Sequence, residues 1–202
     1  MFKFFSITLI AAGLILTGYG GYQYFSGEKQ VYESMAEAKS ILMNAEEKVI
    51  QTMQNQESSS TTNVVKFSPE KGEVVGILSI PSINLETPII EGTDEDELEK
   101  GVGHFAGSAY PTQNDQIVLS GHRDTVFRKM KDIEIGDIIT VKLPYGDFSY
   151  KIESTKIVDA EDRTIIKSTA PDEVLVVSTC YPFNFVGDAP ERFVVFASPV
   201  VE

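Results

Sequence analysis

VLVVSTCYP (174–182) opens with four apolar β-formers and ends in the only cysteine of the chain, Cys180, followed by Tyr181-Pro182. A short apolar run of this kind, bounded by a proline that cannot donate to a ladder, reads as a buried strand that must stop there. The same pattern recurs in VVGILSIPSI (74–83), TPIIEG (87–92), QIVLSGH (116–122), DIITVKL (137–143), FSYKIESTKIV (148–158) and RFVVFASPVV (192–201). Gly, Pro, Asn and Asp punctuate these runs, and PYGD (144–147) marks a tight turn. TDEDELEKG (93–101) reads as a short helix, with Thr93 as cap, acids in its first turn and Gly101 as stop. FRKM (127–130) reads as one more helical turn. Seven or eight short strands with little helix predict an all-β fold, a closed barrel or a sandwich.

The chain has 202 residues, 42% of them hydrophobic, and a formal net charge of −13. This length carries one domain with a core and something besides. The acidic balance argues against nucleic acid as a partner, since phosphate neutralisation needs a basic face. One cysteine makes no internal disulfide and no Cys-based zinc site. With two histidines, His104 and His122, there is little material for a metal site, so no cofactor is expected. Dependence on a divalent metal stays open.

The first residues differ from the rest. FFSITLIAAGLILTGYGGYQYF (4–25) carries no charge and follows Lys3. Its length suits a membrane-spanning helix, with Tyr19, Tyr22, Tyr24 and Phe25 as an aromatic belt. No small-x-small cleavage site is evident before YQYFSG, so an uncleaved anchor is preferred to a signal peptide. An inside N-terminus would leave the remainder outside the cell. In 28–56, Val31, Met35, Ala38, Leu42, Ala45 and Val49 recur in steps of three and four. They predict a helix, either a solvated stalk or a weak coiled-coil seam. SSSTTN (58–63) reads as polar linker. The expected organisation is a transmembrane anchor over 1–25, a stalk and linker over 26–72, and a β-rich domain over 73–202.

Cys180 at a strand mouth can face a groove, where the same residue inside VLVV would be a plain core residue. His122 ends QIVLSGH in the same fashion, and imidazole can exchange protons with a thiol and a leaving amine. Arg192 opens the last strand. The loop 181–191 brings that strand back beside 173–180, so its guanidinium can point at the same rim and stabilise an oxyanion. Taken alone, Arg192 also reads as a surface partner of Asp188 or Glu191.

GVGHFAGSAYP (101–111), VLSGHRDTVF (118–127), VVSTCYP (176–182) and the following ER-F (191–193) together resemble a sortase. The family signature Thr-Leu-x-Thr-Cys is matched at Thr179-Cys180, with Val176 and Val177 at its first two places. The resemblance covers about 73–202 and is strongest to the class D group of bacilli and clostridia. It implies an eight-stranded sortase-type β-barrel behind an N-terminal anchor and stalk. It implies a cysteine transpeptidase that cleaves a Leu-Pro-x-Thr-Gly-like sorting motif of secreted proteins after Thr and passes the Thr carboxyl to a peptidoglycan-precursor amine. It carries catalytic roles onto Cys180 (nucleophile), His122 (proton donor and acceptor) and Arg192 (oxyanion or substrate stabilisation). It places Thr179 in the substrate groove, and it makes DAEDRTIIKSTAPD (159–172) the segment that holds the Leu-Pro end. It assigns no role to His104, which reads as structural. Asp124 is a candidate to orient the His122 ring, and Asp94–Glu97 reads as a solvated helix start rather than a calcium site. A membrane-anchored cysteine peptidase, or a non-enzymatic surface module with a packed cysteine, are the competing readings.

Overall fold

The computed structural model describes residues 2–55, 67–185 and 187–200. One long helix, α1 (Phe2–Asn55), precedes a barrel of eight strands: β1 (Val74–Ile80), β2 (Leu85–Glu91), β3 (Val102–His104), β4 (Gln116–Ser120), β5 (Ile138–Leu143), β6 (Gly146–Asp159), β7 (Val174–Tyr181) and β8 (Glu191–Pro199). The strands close in the order β1-β2-β3-β4-β7-β8-β6-β5. The expected runs therefore all become strands, and VGH at 102–104 adds the one that composition does not announce. Pro144-Tyr145 turns β5 into β6 as PYGD predicts. A short helix, α2 (Glu95–Leu98), sits between β2 and β3. Its cap is Asp94 rather than Thr93, with the Glu97 carboxylate accepting from the Asp94 N–H at 3.1 Å.

Alternation along each strand sorts the side chains into two sets. Leu78, Ile89, Ile117, Val141, Ile152, Leu175 and Val195 meet in the barrel interior, with Phe127 and Met130 closing it. Val118, Val176 and Val194 form a separate patch on the outer face of β4, β7 and β8, covered by Ile165 from the segment after β6.

His104 is sealed inside, 1% exposed. Its Nδ1 lies 2.6 Å from Glu91 Oε2 and its Nε2 2.9 Å from the Ala109 carbonyl oxygen. Tyr110 stacks on the ring and donates its hydroxyl to the same Glu91 oxygen at 2.5 Å. Both imidazole nitrogens thus face acceptors. Burial alone would push the Glu91 carboxyl up. The hydrogen bonds from His104 and Tyr110, with the charge of His104, more than offset this and hold it below its ordinary value. The network joins β2, β3 and the loop after β3, which is the structural role the sequence suggests for His104.

Helix α1 departs from both expectations for the stalk. It runs unbroken over 54 residues, about 80 Å at helical rise. Its buried stripe packs neither on solvent nor on a second helix. Ala38 is fully buried against Val74, Ile77 and Ile90 on the outer face of β1 and β2, flanked by Met35, Ile41 and Leu42. Gln30 reaches Glu99 at 3.5 Å, and Lys39 pairs with Glu86 at 3.5 Å. Of the expected seam residues, Met35, Ala38 and Leu42 meet the barrel itself, while Val49 is exposed. Ala at position 38 lets helix and sheet approach closely. Among the described residues no helix is long and apolar enough to cross a membrane. The side chains of 2–9 and 22–25, hence most of the expected aromatic belt, and the linker SSSTTN lie outside the described residues.

Two outcomes follow for stability. Glu91→Gln loses a charged acceptor in a buried network and is expected to destabilise by about 1–3 kcal/mol at neutral pH. Because the folded carboxyl titrates below its ordinary value of 4.5, the advantage of the parent chain is full above that value. It disappears as pH falls through the folded value. Urea melts of both chains at neutral pH and at pH about 3 measure this. Ala38→Arg forces a long side chain into a filled contact. It is expected to speed amide exchange in residues 30–42, while β5 and β8 keep their protection.

Candidate active site

The site is built by one ladder. β4 and β7 run parallel, with Val118 opposite Val176 and Ser120 opposite Ser178. The Gly121 N–H extends the ladder by donating to Ser178 O at 3.2 Å. β7 and β8 run antiparallel, with Ser178 opposite Val194 and Cys180 directly opposite Arg192. Adjacent strands lie about 4.8 Å apart. His122, Cys180 and Arg192 therefore come from three neighbouring strands at one end of the barrel. Parity places Cys180 on the outer row with Val176 and Ser178, and Arg192 on the outer row with Val194. Cys180 is free and half-buried.

Gly121 permits the exit from β4. A Cβ there would stand 2.7 Å from Phe127 and 2.9 Å from Val126, so a larger residue would force Phe127 from the barrel end. The Phe127 N–H donates back to His122 O at 3.0 Å and closes the turn. The His122 ring is partly exposed, and its Nε2 faces Glu95 Oε1 at 3.5 Å. The carboxylate near this ring therefore comes from α2. Asp124 lies by Arg123 instead, with Arg123 Nε 3.4 Å from its Oδ1.

Thr179 has a different place from the groove-lining one expected of it. It follows the interior row of Leu175 and Val177, is 2% exposed, and donates its hydroxyl to Gly121 O at 2.8 Å. Alternation decides this: next to an outward Cys180, residue 179 must turn inward. Its bond holds the backbone just ahead of His122. Arg192 Nη1 donates to the carbonyls of Ala189 and Glu191, each at 3.0 Å. Among the described residues it makes no ion pair with Asp188 or Glu191, so its charge is held in place but not neutralised.

Arg123 is the residue that sequence reasoning passed over. It is 6% exposed. Its Nη1 donates to Pro182 O and its Nη2 to Gly187 O, each at 3.0 Å. The guanidinium also lies 6.0 Å from the Phe185 ring centre. It ties the turn that carries His122 to the loop that joins Cys180 to Arg192. A buried arginine beside His122 was the available signal, but burial is not visible in GHRD.

The segment 159–172 is fastened over the outer patch. Asp115 Oδ1 accepts from the N–H groups of Thr169 (2.6 Å) and Ala170 (3.2 Å), and its Oδ2 from the Ser168 hydroxyl at 3.0 Å. The Gln116 side chain donates to Ile165 O and accepts from Lys167 N–H. Bonds from the backbone of Gln116, Thr169 and Ala170 hold the Asp115 carboxyl below its ordinary value. The segment 159–172 is thus fixed over the outer β4/β7 row. Among the described residues no cluster of His, Cys, Asp and Glu could hold a metal ion.

A half-buried thiol, an imidazole and an un-neutralised guanidinium on adjacent strand ends can carry acyl transfer. Comparison with known proteins shows the family. A family model described as the Sortase domain matches residues 78–200. The chain is 44% identical to Sortase D of Bacillus subtilis (strain 168), over 99% of this chain and 100% of that one. A Clostridium perfringens Sortase D5 transpeptidase superposes with a TM-score of 0.68 at 22% identity, covering 86% of this chain and 99% of the other. Sortase C from Clostridium perfringens SM101 does so with a TM-score of 0.60 at 25% identity, over 83% and 91%. The chain belongs to the sortase family and is a cysteine transpeptidase.

Proposed function

We propose that Cys180, His122 and Arg192 carry the transpeptidation, and that the donor is a Leu-Pro-x-Thr-Gly-like sorting motif cleaved after its Thr. The observation that carries this reading is the register that sets Cys180 opposite Arg192 beside the His122 turn. The Cys180 thiolate attacks the Thr carbonyl carbon. Arg192 stabilises the oxyanion that forms, and His122 gives a proton to the departing amine as the C–N bond breaks. A thioester on Cys180 remains. An amine then replaces the sulfur, and the Thr becomes amide-linked to a peptidoglycan precursor. The segment 159–172, packed through Ile165 on the buried patch of Val118, Val176 and Val194, supports a seat for the Leu-Pro end beside it. Thr179 acts here through the backbone of Gly121 and not by touching peptide.

Sortases work at the cell surface on proteins that carry sorting signals. For this chain we propose a single-pass anchor formed by 4–25, N-terminus inside, with the barrel on the extracellular face. The uncharged run and Lys3 support it. In this reading α1 holds the barrel near the membrane, since its 30–42 segment is packed on β1 and β2. No cofactor is proposed.

With a fluorescent sorting peptide and hydroxylamine, the full chain is expected to release the leaving peptide and form the hydroxamate. Cys180→Ala is expected to abolish both products, and Arg192→Ala to lower kcat roughly 100- to 1000-fold, as loss of one oxyanion donor does. Activity that survives in Cys180→Ala sinks the assignment. Asp115→Ala releases the clamp on 168–170. Its expected effect is a higher KM for the sorting peptide, with kcat and the KM for hydroxylamine nearly unchanged, measured by steady-state kinetics.

A further inference from the structure

His122 has a second side. A cavity of about 1030 Å³ lies between helix α1 and the barrel, walled by 26–35 of α1, Asn84 and the start of β2 at 85–87, Glu95 of α2, Glu99 just after it, and 122–129 after β4. Cys180 and Arg192 are not in its walls, but His122 is. The proposed donor groove and this cavity therefore meet at the imidazole. The donor occupies the β4/β7/β8 face, so a second substrate must reach the thioester from another direction.

Charge describes the occupant. Glu28, Glu95, Glu99 and Asp124 line the cavity, with Glu86 already paired to Lys39. The cations there are Arg128, which donates to the Asp124 carbonyl, and Lys129. Negative charge predominates, and Glu95 brings it within 3.5 Å of His122 Nε2.

We propose that this cavity is the acceptor site, that it selects a cationic amine, and that Glu95 binds the ammonium beside His122. The proposal rests on the roles given above to Cys180 and His122. An alkyl amine has a pKa near 10 and arrives protonated at neutral pH. His122 is neutral once it has protonated the first leaving group. The ammonium gives up two protons in all, one to His122 and one to bulk water. Its nitrogen forms the new C–N bond, the C–S bond breaks, and the sulfur leaves as thiolate with that electron pair. The thiolate and imidazolium pair is then restored for the next cycle. The long helix, a mere tether in the sequence reading, becomes a wall of the substrate site.

The test uses the full chain, a fluorescent sorting peptide as donor, and two nucleophiles. One is a short peptide with a single side-chain ammonium; the other is hydroxylamine, uncharged at neutral pH. Because Glu95 also touches His122, the quantity read is the ratio of the two KM values within each variant. Glu95→Gln and Glu99→Gln are expected to raise the ratio of ammonium-peptide KM to hydroxylamine KM about 10-fold, the loss of one charge-assisted contact. If both KM values move together in Glu95→Gln, or neither moves, the acceptor site falls. Intact-mass detection of the Cys180 thioester in the parent chain separates the cases. Its presence with an unchanged ratio rejects only the acceptor site, and its absence rejects the donor chemistry beneath it.

Discussion

Everything this molecule does depends on the pairing of β7 with β4 on one side and β8 on the other. β7 is central, and over Leu175–Val177 it is apolar and buried on both faces, which fixes its register against slippage by a single residue. A slip of one would turn Cys180 inward and Thr179 outward, and Arg192 would lose its place opposite the sulfur. The interior packing of Leu175 and Val177 and the outer packing of Val176 thus hold the reactive row. Chemistry at the strand mouth is a by-product of core burial one turn of the pleat below it.

The rim around that row is held by polar contacts that all converge on the backbone. Thr179 holds Gly121, Arg123 holds the carbonyls of Pro182 and Gly187, and Arg192 is itself pinned by the carbonyls of Ala189 and Glu191. Such bonds fix loops, and Arg192 keeps an un-neutralised positive charge opposite Cys180. Among the described residues only Glu95 pairs a carboxylate with the imidazole, and it comes from α2, whose start is fixed by the Asp94–Glu97 capping contact. Charge near the proposed reactive groups thus comes from Arg192 and one short helix, while geometry is set by the sheet.

Helix α1 links the two halves of the chain physically. Its stripe from Gln30 to Leu42 is fixed to β1 and β2, far in sequence from the reactive row, yet its 26–35 portion faces the cavity beside His122. A tether with a free stalk would leave that cavity open to bulk water. With the helix docked, the space next to the imidazole has a wall.

Much of this was written in the residues. Alternating apolar runs ended by Gly and Pro gave all but the three-residue β3, and the spelling of GHRD and STCYP pointed to the family and to two of the proposed reactive groups. Local chemistry is enough for that, because strand propensity and turn residues act over a few positions. The barrel's closure decided the rest. Which face Thr179 takes depends on the parity imposed by β4 and β8, and that Arg123 is buried depends on a loop returning from the far side of β7. The stripe on α1 has the same periodicity whether its partner is water, another helix or a sheet, so 28–56 alone was silent on the choice. Only packing supplies the surface of β1 and β2 against which Ala38 fits, and with it the cavity at His122.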